Sequence, residues 1–119
     1  MINRSDAAGH DLISWSDFQT VLLIAGTVVH AEPFAQAKKP AFIVKVDFGP
    51  YGVLKTSAQI TQLYTPDNLI GKQIVGVINF PKKQIGPIQS EFLLTGFHTD
   101  DGVVLTTLDK AVPNGSRMA

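Results

Sequence analysis

The feature that most constrains the fold is a series of short apolar, β-branched segments that begins at Val21. Glycine or proline interrupts the series roughly every eight to twelve residues, a spacing typical of a small all-β barrel or sandwich. At 119 residues the chain has room for one hydrophobic core and therefore for one domain. The segments predict strands over residues 21–31, 41–48, 52–57, 73–80, 90–97 and 102–106.

The second of these segments alternates most clearly between apolar and mixed positions. One face carries Phe42, Val44, Val46 and Phe48, and the other carries Ala41, Ile43, Lys45 and Asp47. Successive side chains of a strand point to opposite faces of the sheet. We therefore expect the first set to form a core face and the second set to form a mixed face.

A short helix is predicted just before the first strand. Ser14 or Ser16 can cap a helix over 15–20, in which Trp15 and Phe18 share a face. A helix of one or two turns is marginal in water. Both aromatic side chains must therefore dock on the domain or on a second subunit.

A second short helix is predicted between the third and fourth strands. Thr65 precedes Pro66 and Asp67, and Gly71 follows shortly after. A capping threonine, a proline in the first turn and an acid beside it mark a helix start. Five strands with a helix between strands three and four is the chain order of an OB-fold Greek-key barrel.

Composition excludes several other classes of protein. With 45% hydrophobic and 17% charged residues the chain is too apolar for a disordered segment. Ten basic residues balance ten acidic ones, so any site for a polyanion must be a local patch. The absence of cysteine excludes disulfides and thiolate zinc sites.

Two stretches of the sequence bear on where the protein is located: the first twelve residues and the longest apolar run. Residues 1–12 are polar, lack a signal-peptide core and predict a flexible tail before a domain over 13–119. Residues 21–29 are about half as long as the ~20 residues of a membrane-spanning helix. We expect a cytoplasmic protein without membrane insertion.

Catalytic and metal-binding patterns are weak in this sequence. His98 with Asp100 and Asp101 forms the one cluster, and its position before Gly102 favours a hairpin turn over a metal site. The chain contains no Gly-rich phosphate loop, no G-x-S-x-G and no H-E-x-x-H motif. We therefore expect no enzyme activity, no metal and no cofactor.

Lysines and polar side chains form the more informative pattern. Residues 79–87 leave the fourth strand and enter a loop restrained by Pro and Gly, with Lys82 and Lys83 adjacent. Such a loop is either an ordinary soluble loop or a phosphate-binding element, since cations fix the register of a nucleic-acid chain. Other side chains that can join it are Lys38, Lys39, Lys45, Lys55, Ser57 and Gln59.

A family resemblance rests on several short blocks that occur in order over residues 16–119. They are SAQIT at 57–61, Tyr64 with Pro66, LIGKQ at 69–73, VINFP at 77–81, IGP at 85–87, SE at 90–91 and VPNG at 112–115. Together they resemble the CsaA family. That family is a group of tRNA-binding OB domains similar to the C-terminal domain of many methionyl-tRNA synthetases.

The resemblance implies a homodimer built with the N-terminal helix and the C-terminal segment. It also implies structure-specific, sequence-tolerant tRNA binding, and a chaperone-like or protein-export activity that takes up peptide in a hydrophobic pocket. The family's polar positions correspond here to Ser57, Gln59, Asn79 and Ser90, with Lys82 and Lys83 in the basic loop and Leu93 at the apolar position.

Three positions depart from the family pattern. An acid and an arginine that usually precede the glycine of the first strand are Leu22 and Ile24 here, before Gly26, and a basic residue before Lys55 is Leu54. Lost cations weaken phosphate binding. Aliphatic side chains on an outer face need a cover or form an adhesive patch.

Two functions from different classes follow. The first is a homodimeric tRNA-binding protein that uses Lys38, Lys39, Lys45, Lys55, Lys82 and Lys83 for phosphates and Ser57, Gln59, Asn79 and Ser90 for polar contacts. The second is a chaperone for unfolded or export-bound polypeptides. Its groove, or alternatively the dimer interface, would use Trp15, Phe18, Leu22, Ile24 and Leu54.

Overall fold

The apolar segments form a five-stranded antiparallel sheet. The computed structural model describes residues 11–119, so the expected tail over 1–12 lies almost wholly outside the described residues. The helices are α1 (Trp15–Gln19) and α2 (Pro66–Leu69), with a 3-10 turn at Gly49–Tyr51. The strands are β1 (Leu23–Pro33), β2 (Phe42–Asp47), β3 (Val53–Ala58), β4 (Gln73–Val77), β5 (Lys83–Ile85), β6 (Ile88–Ser90), β7 (Leu93–Leu94), β8 (Gly96–Thr99) and β9 (Gly102–Leu105). The order in the five-stranded sheet is β3-β2-β1-β4-β7.

The core face predicted for β2 is confirmed. Its apolar positions, residues 42, 44, 46 and 48, are all at most 8% exposed. The ring of Phe48 meets that of Phe92 edge-on, with centroids 4.9 Å apart, an arrangement that aromatic pairs favour. A Cβ at Gly26 would lie 2.7 Å from Phe48 Cδ1, and one at Gly76 would lie 2.8 Å from Phe48 Cζ. Both glycines therefore make room for the ring at the centre of the barrel.

Hydrogen bonds across the open side of the sheet join β3 to the end of β6 and to the segment that follows it. Thr56 is 3% exposed, and its Oγ1 donates to the carbonyl oxygen of Phe92 at 2.8 Å. Ser90 Oγ lies 2.6 Å from Thr56 Oγ1 and accepts from the N–H of Ser57 at 3.1 Å. These bonds nearly close the barrel, so the predicted all-β OB-like fold is confirmed.

Both predicted helices are present and both carry a capping box. Ser14, rather than Ser16, caps α1, because its Oγ accepts from the N–H of Asp17 and its own N–H donates to that carboxylate. Thr65 caps α2, whose Leu69 is fully buried. α2 is therefore anchored in the core.

The C-terminal segment pairs with the first half of β1. The N–H of Gly115 donates to the carbonyl of Ala25 at 2.8 Å, and the N–H of Ala25 donates to Ser116 at 2.9 Å. The guanidinium of Arg117 donates to the carbonyl of Gln19, which ties α1 to the same segment. Helix α1 and the C-terminal segment thus meet on one side of the barrel.

The region after β4 differs from the sequence-based expectation. The predicted strand over 90–97 is divided into β6, β7 and β8, and the predicted loop over 79–87 contains half of a β5–β6 hairpin that turns at Gly86. Residues 82–84 are Lys-Lys-Gln, so no apolar alternation marked β5 as a strand.

Among residues 11–119, no helix is long and apolar enough to cross a membrane.

Candidate functional site

The β5–β6 hairpin packs beside β3 and separates two open clefts. The first, here called the lysine cleft, has a volume of about 680 Å³ and is lined by Lys45, Lys55 and Lys82 with Glu91 and several neutral residues. The second, here called the apolar cleft, has a volume of about 440 Å³. It is bordered by β3, by Phe80 and Pro81, and by the opposite side of the hairpin.

Strand alternation sends adjacent lysines of the hairpin in opposite directions. Lys82 and Gln84 line the lysine cleft, whereas Lys83 and Ile85 line the apolar cleft. The sequence predicts that Lys82 and Lys83 lie together in one basic loop. In the fold they belong to different clefts, so each meets a different part of any ligand that spans the hairpin.

The lysine cleft concentrates positive charge. Lys45 on β2 and Lys55 on β3 are directly opposite in the antiparallel register. Glu91 partly balances them: its Oε1 accepts from the N–H of Lys55 at 3.0 Å, and its Oε2 lies 3.6 Å from Lys82 Nζ. Three lysines and one glutamate leave an excess of two positive charges among the lining residues.

The other predicted lysines lie in the loop between β1 and β2. Lys39 lines a further concavity together with Gln59 and His98, and both Lys38 and Lys39 are exposed. Gln59 also lines the apolar cleft. The predicted cations are therefore distributed around the hairpin rather than gathered at one point.

The apolar cleft combines exposed apolar side chains with few polar ones. Phe80 is 56% exposed and Leu93 is 50% exposed, whereas Phe92 beneath them is 4% exposed. Among its lining residues, Lys83 carries the one formal charge. The backbone N–H of Ser57 is committed to structure, since it donates to Ser90 Oγ at 3.1 Å.

Two residues predicted to contact a ligand make hydrogen bonds within the fold. Asn79 Nδ2 donates to the carbonyl of Thr20 at 2.6 Å, and its Oδ1 accepts from the N–H of Leu22 at 3.0 Å. Ser90 Oγ is engaged by Thr56 and Ser57, as described above. Asn79 thereby holds the backbone next to Phe80, and Ser90 lines the apolar cleft while it bonds β3.

The expectation that Ile24 lies on an outer face is wrong. Ile24 is fully buried in the core, so it is not available to a peptide or to a second subunit. Leu22 and Leu54 are half-buried and pack against that core, and Leu54 also borders the lysine cleft. The C-terminal segment pairs with the edge of the first strand, and its Val112 and Met118 line one concavity together with Leu23 and Ala25, which the pattern of the strand alone could not indicate.

The aromatic pair of α1 lies on the surface next to the C-terminus. Trp15 is 63% exposed, and its ring centroid is 5.4 Å from that of the half-buried Phe18. Both line a shallow concavity with Arg117 and Met118.

The hairpin turn predicted at Asp100 and Asp101 is confirmed, since Thr99 pairs with Gly102 across β8 and β9. Gly102 has a φ of 134°, which suits glycine. Within residues 11–119, no three acidic or histidine side chains come close enough to hold a metal ion.

A barrel of this topology with a basic cleft beside its hairpin defines an OB-fold binding domain. Residues 23–117 match the family model described as "Putative tRNA binding domain". The chain belongs to this tRNA-binding domain family, and the resemblance noted from the short sequence blocks is confirmed.

Solved structures of similar proteins agree. The chaperone CsaA of Bacillus anthracis is 42% identical, with a TM-score of 0.85 over 91% of this chain and 99% of that one. The CsaA chaperone protein of Picrophilus torridus is 40% identical, with a TM-score of 0.85 over 91% of this chain and 100% of that one.

Longer relatives also contain a similar region. The methionine–tRNA ligase of Halalkalibacterium halodurans is 35% identical over 107 residues, which is 89% of this chain. This chain spans 16% of the length of that ligase, and the same share of the ligase of Methanococcoides burtonii.

Proposed function

We propose that this chain binds tRNA, with phosphate groups in the lysine cleft and the remaining contacts around the β5–β6 hairpin. The observation that carries the proposal is the direct cross-strand opposition of Lys45 and Lys55, with Lys82 lining the same cleft. Like charges directly opposite each other destabilise a sheet. An anionic ligand between them removes that cost.

The mechanism is electrostatic positioning rather than base reading. Lysine ammonium groups bind phosphate oxygens as point charges and release counterions from the nucleic acid. Contacts of this kind fix register and orientation without sequence information. The arrangement therefore supports binding to the folded shape of tRNA with tolerance of its sequence. We propose in addition a non-catalytic binding protein of the cytoplasm, with its domain over 13–119.

The direct test is a mobility-shift titration with folded tRNA at low salt. We expect a discrete complex that weakens steeply as salt is added. The absence of a complex at low salt would exclude this function. A DNA duplex of similar charge serves as the control for general polyanion binding.

We also propose that the protein is a homodimer. Three apolar side chains in and before α1 are strongly exposed, namely Leu12, Ile13 and Trp15, at 62%, 70% and 63%. Met118 at the C-terminus is 42% exposed and lies beside Trp15 in the same concavity. Light scattering on the wild-type chain and on Trp15→Ser tests this: a dimer that W15S weakens supports it, and a wild-type monomer excludes it.

The second candidate function is a chaperone for unfolded polypeptides. The apolar cleft favours it, because Phe80 and Leu93 are exposed and most of the lining is uncharged. Contiguous exposed apolar surface often marks an interaction site. The test is suppression of aggregation of a chemically denatured client, measured at two salt concentrations, since apolar binding should persist where tRNA binding is lost.

A further inference from the structure

The segment from Asn79 to Pro81 presents an aromatic ring on a fixed backbone. The two side-chain hydrogen bonds of Asn79 hold the chain immediately before Phe80. Pro81 restricts the backbone immediately after it, because proline fixes its own φ and limits the conformation of the residue before it. The ring of Phe80 is nonetheless 56% exposed. A held, exposed ring loses little freedom when a ligand packs against it.

The surroundings of this ring suit a nucleobase with its phosphate. Leu93, 50% exposed, adds a second apolar surface to the cleft. Lys83, at the start of the hairpin strand, supplies a positive charge, and none of the cleft's lining residues is acidic. A flat apolar base attached to an anionic phosphate matches that combination, since base stacking on aromatic side chains tolerates every base.

The opposite wall of the cleft offers polar groups for the edge of the base. Gln59 follows β3 and its side chain is exposed. A glutamine amide both donates and accepts hydrogen bonds, so it can pair with different base edges after rotation. Ser57 also lines this cleft.

From these observations we infer that the apolar cleft holds one unpaired nucleotide of the bound RNA. The base lies against Phe80 and Leu93, the phosphate meets Lys83, and Gln59 faces the base edge. This inference rests on the proposed function and adds a requirement on the RNA ligand. The RNA must present an unstacked nucleotide near the phosphates that the lysine cleft holds. Bases inside an A-form duplex are stacked on both faces and cannot enter.

The experiment compares an unstructured RNA of ten nucleotides with a fully paired RNA duplex of equal length. Wild type, Phe80→Ala and the matched control Phe97→Ala are titrated with each RNA. Phe97 is 66% exposed on β8 and lines neither cleft. We expect F80A to weaken binding of the single strand about fivefold or more, with little change for the duplex, and F97A to match wild type.

A conservative variant separates stacking from mere shape. Phe80→Trp keeps a larger aromatic surface, so it should bind the single strand at least as tightly as wild type. Its fluorescence should be quenched by the RNA more strongly than that of Phe97→Trp, in the same Trp15 background. Equal affinities of F80A and F97A, or failure of the wild type to bind the single strand, would overturn the inference.

Two further arms separate this inference from its alternatives. Folded tRNA that binds wild type and F80A equally well would leave the tRNA proposal standing and refute the nucleotide pocket. The second arm uses an apolar, uncharged peptide. If it displaces the single strand from wild type, and if it binds F80A more weakly than wild type at both low and high salt, the occupant is a polypeptide and the inference is refuted.

Discussion

Lys45 and Lys55 lie directly opposite each other on neighbouring antiparallel strands, on the outer face of the barrel. Glu91 reaches the same cleft, where it contacts the backbone of Lys55 and the ammonium group of Lys82. The cleft therefore keeps more positive than negative charge around a shared space. A surface selected for stability alone would pair one of these lysines with an acid, as cross-strand pairs of opposite charge are favourable.

A charge reversal at Lys45 should change folding stability and tRNA affinity in opposite directions. In Lys45→Glu the new carboxylate faces Lys55, so the free energy of unfolding should rise by about 0.2–1 kcal/mol. Binding of tRNA should weaken at the same time, because a phosphate contact is replaced by repulsion. Urea unfolding and a salt-controlled binding titration measure the two effects. Lys72→Glu, on an exposed lysine that lines neither cleft, is the control.

Removal of the acidic charge in the lysine cleft should have the reverse effect on binding. Glu91→Gln keeps an oxygen that can accept from the N–H of Lys55, but it releases Lys82 from its ion pair. Affinity for tRNA should rise severalfold at low salt, and the gain should shrink as salt screens the charges. Glu32→Gln is the matched control, since Glu32 lies beside His30 on β1, outside both clefts. Unchanged or weaker binding by E91Q would contradict the assignment of the cleft.

Crowding at the aromatic pair makes Gly76 sensitive to a single methyl group. A Cβ there would lie 2.8 Å from Phe48 Cζ and 3.0 Å from Phe92 Cδ2. Gly76→Ala should lower the free energy of unfolding by about 1–3 kcal/mol, as overpacked cores do. The double variant Gly76→Ala, Phe48→Leu should be less stable than wild type. The loss of stability caused by Gly76→Ala should, however, be smaller in the Phe48→Leu background than in wild type. Additive effects in urea unfolding would argue against direct crowding.

The side chain of Asn79 should act through the backbone and not through direct contact with a ligand. Asn79→Ala removes two hydrogen bonds, so stability should fall by about 1–3 kcal/mol. Binding of unstructured RNA should weaken as well, because Phe80 loses its fixed position. Asn79→Asp keeps the acceptor for Leu22 but sets a carboxylate oxygen against the carbonyl of Thr20, so it should be clearly less stable than wild type. A binding loss without any stability loss would instead make Asn79 a contact residue.

The sequence predicted the elements whose signals are local. Alternation at 42–48 gave the core face of β2, and the residues around Thr65 and Ser14 gave both helices. The β5–β6 hairpin was missed because its residues carry no apolar alternation and are held by pairing across the turn at Gly86.

The sequence could not predict those features of the site that depend on contacts between residues far apart in the chain. The short blocks located the region correctly, but they could not separate Lys82 from Lys83, which alternation sends into different clefts. The burial of Ile24 depends on how the barrel curls and on the C-terminal segment that pairs with β1. The structural roles of Asn79 and Ser90 depend on partners 57–59 and 33–34 residues away in the chain.

The most direct test of the account is the salt dependence of tRNA binding by wild type and by the triple variant Lys45→Gln, Lys55→Gln and Lys82→Gln. Each phosphate contact adds about 0.7–0.9 to the slope of log K against log salt. We predict a slope smaller by about 2–3 in the triple variant, with lower affinity at every salt concentration. Lys72→Gln with Lys110→Gln should leave both values near those of wild type. An unchanged slope and affinity in the triple variant would contradict the claim that the lysine cleft binds tRNA phosphates.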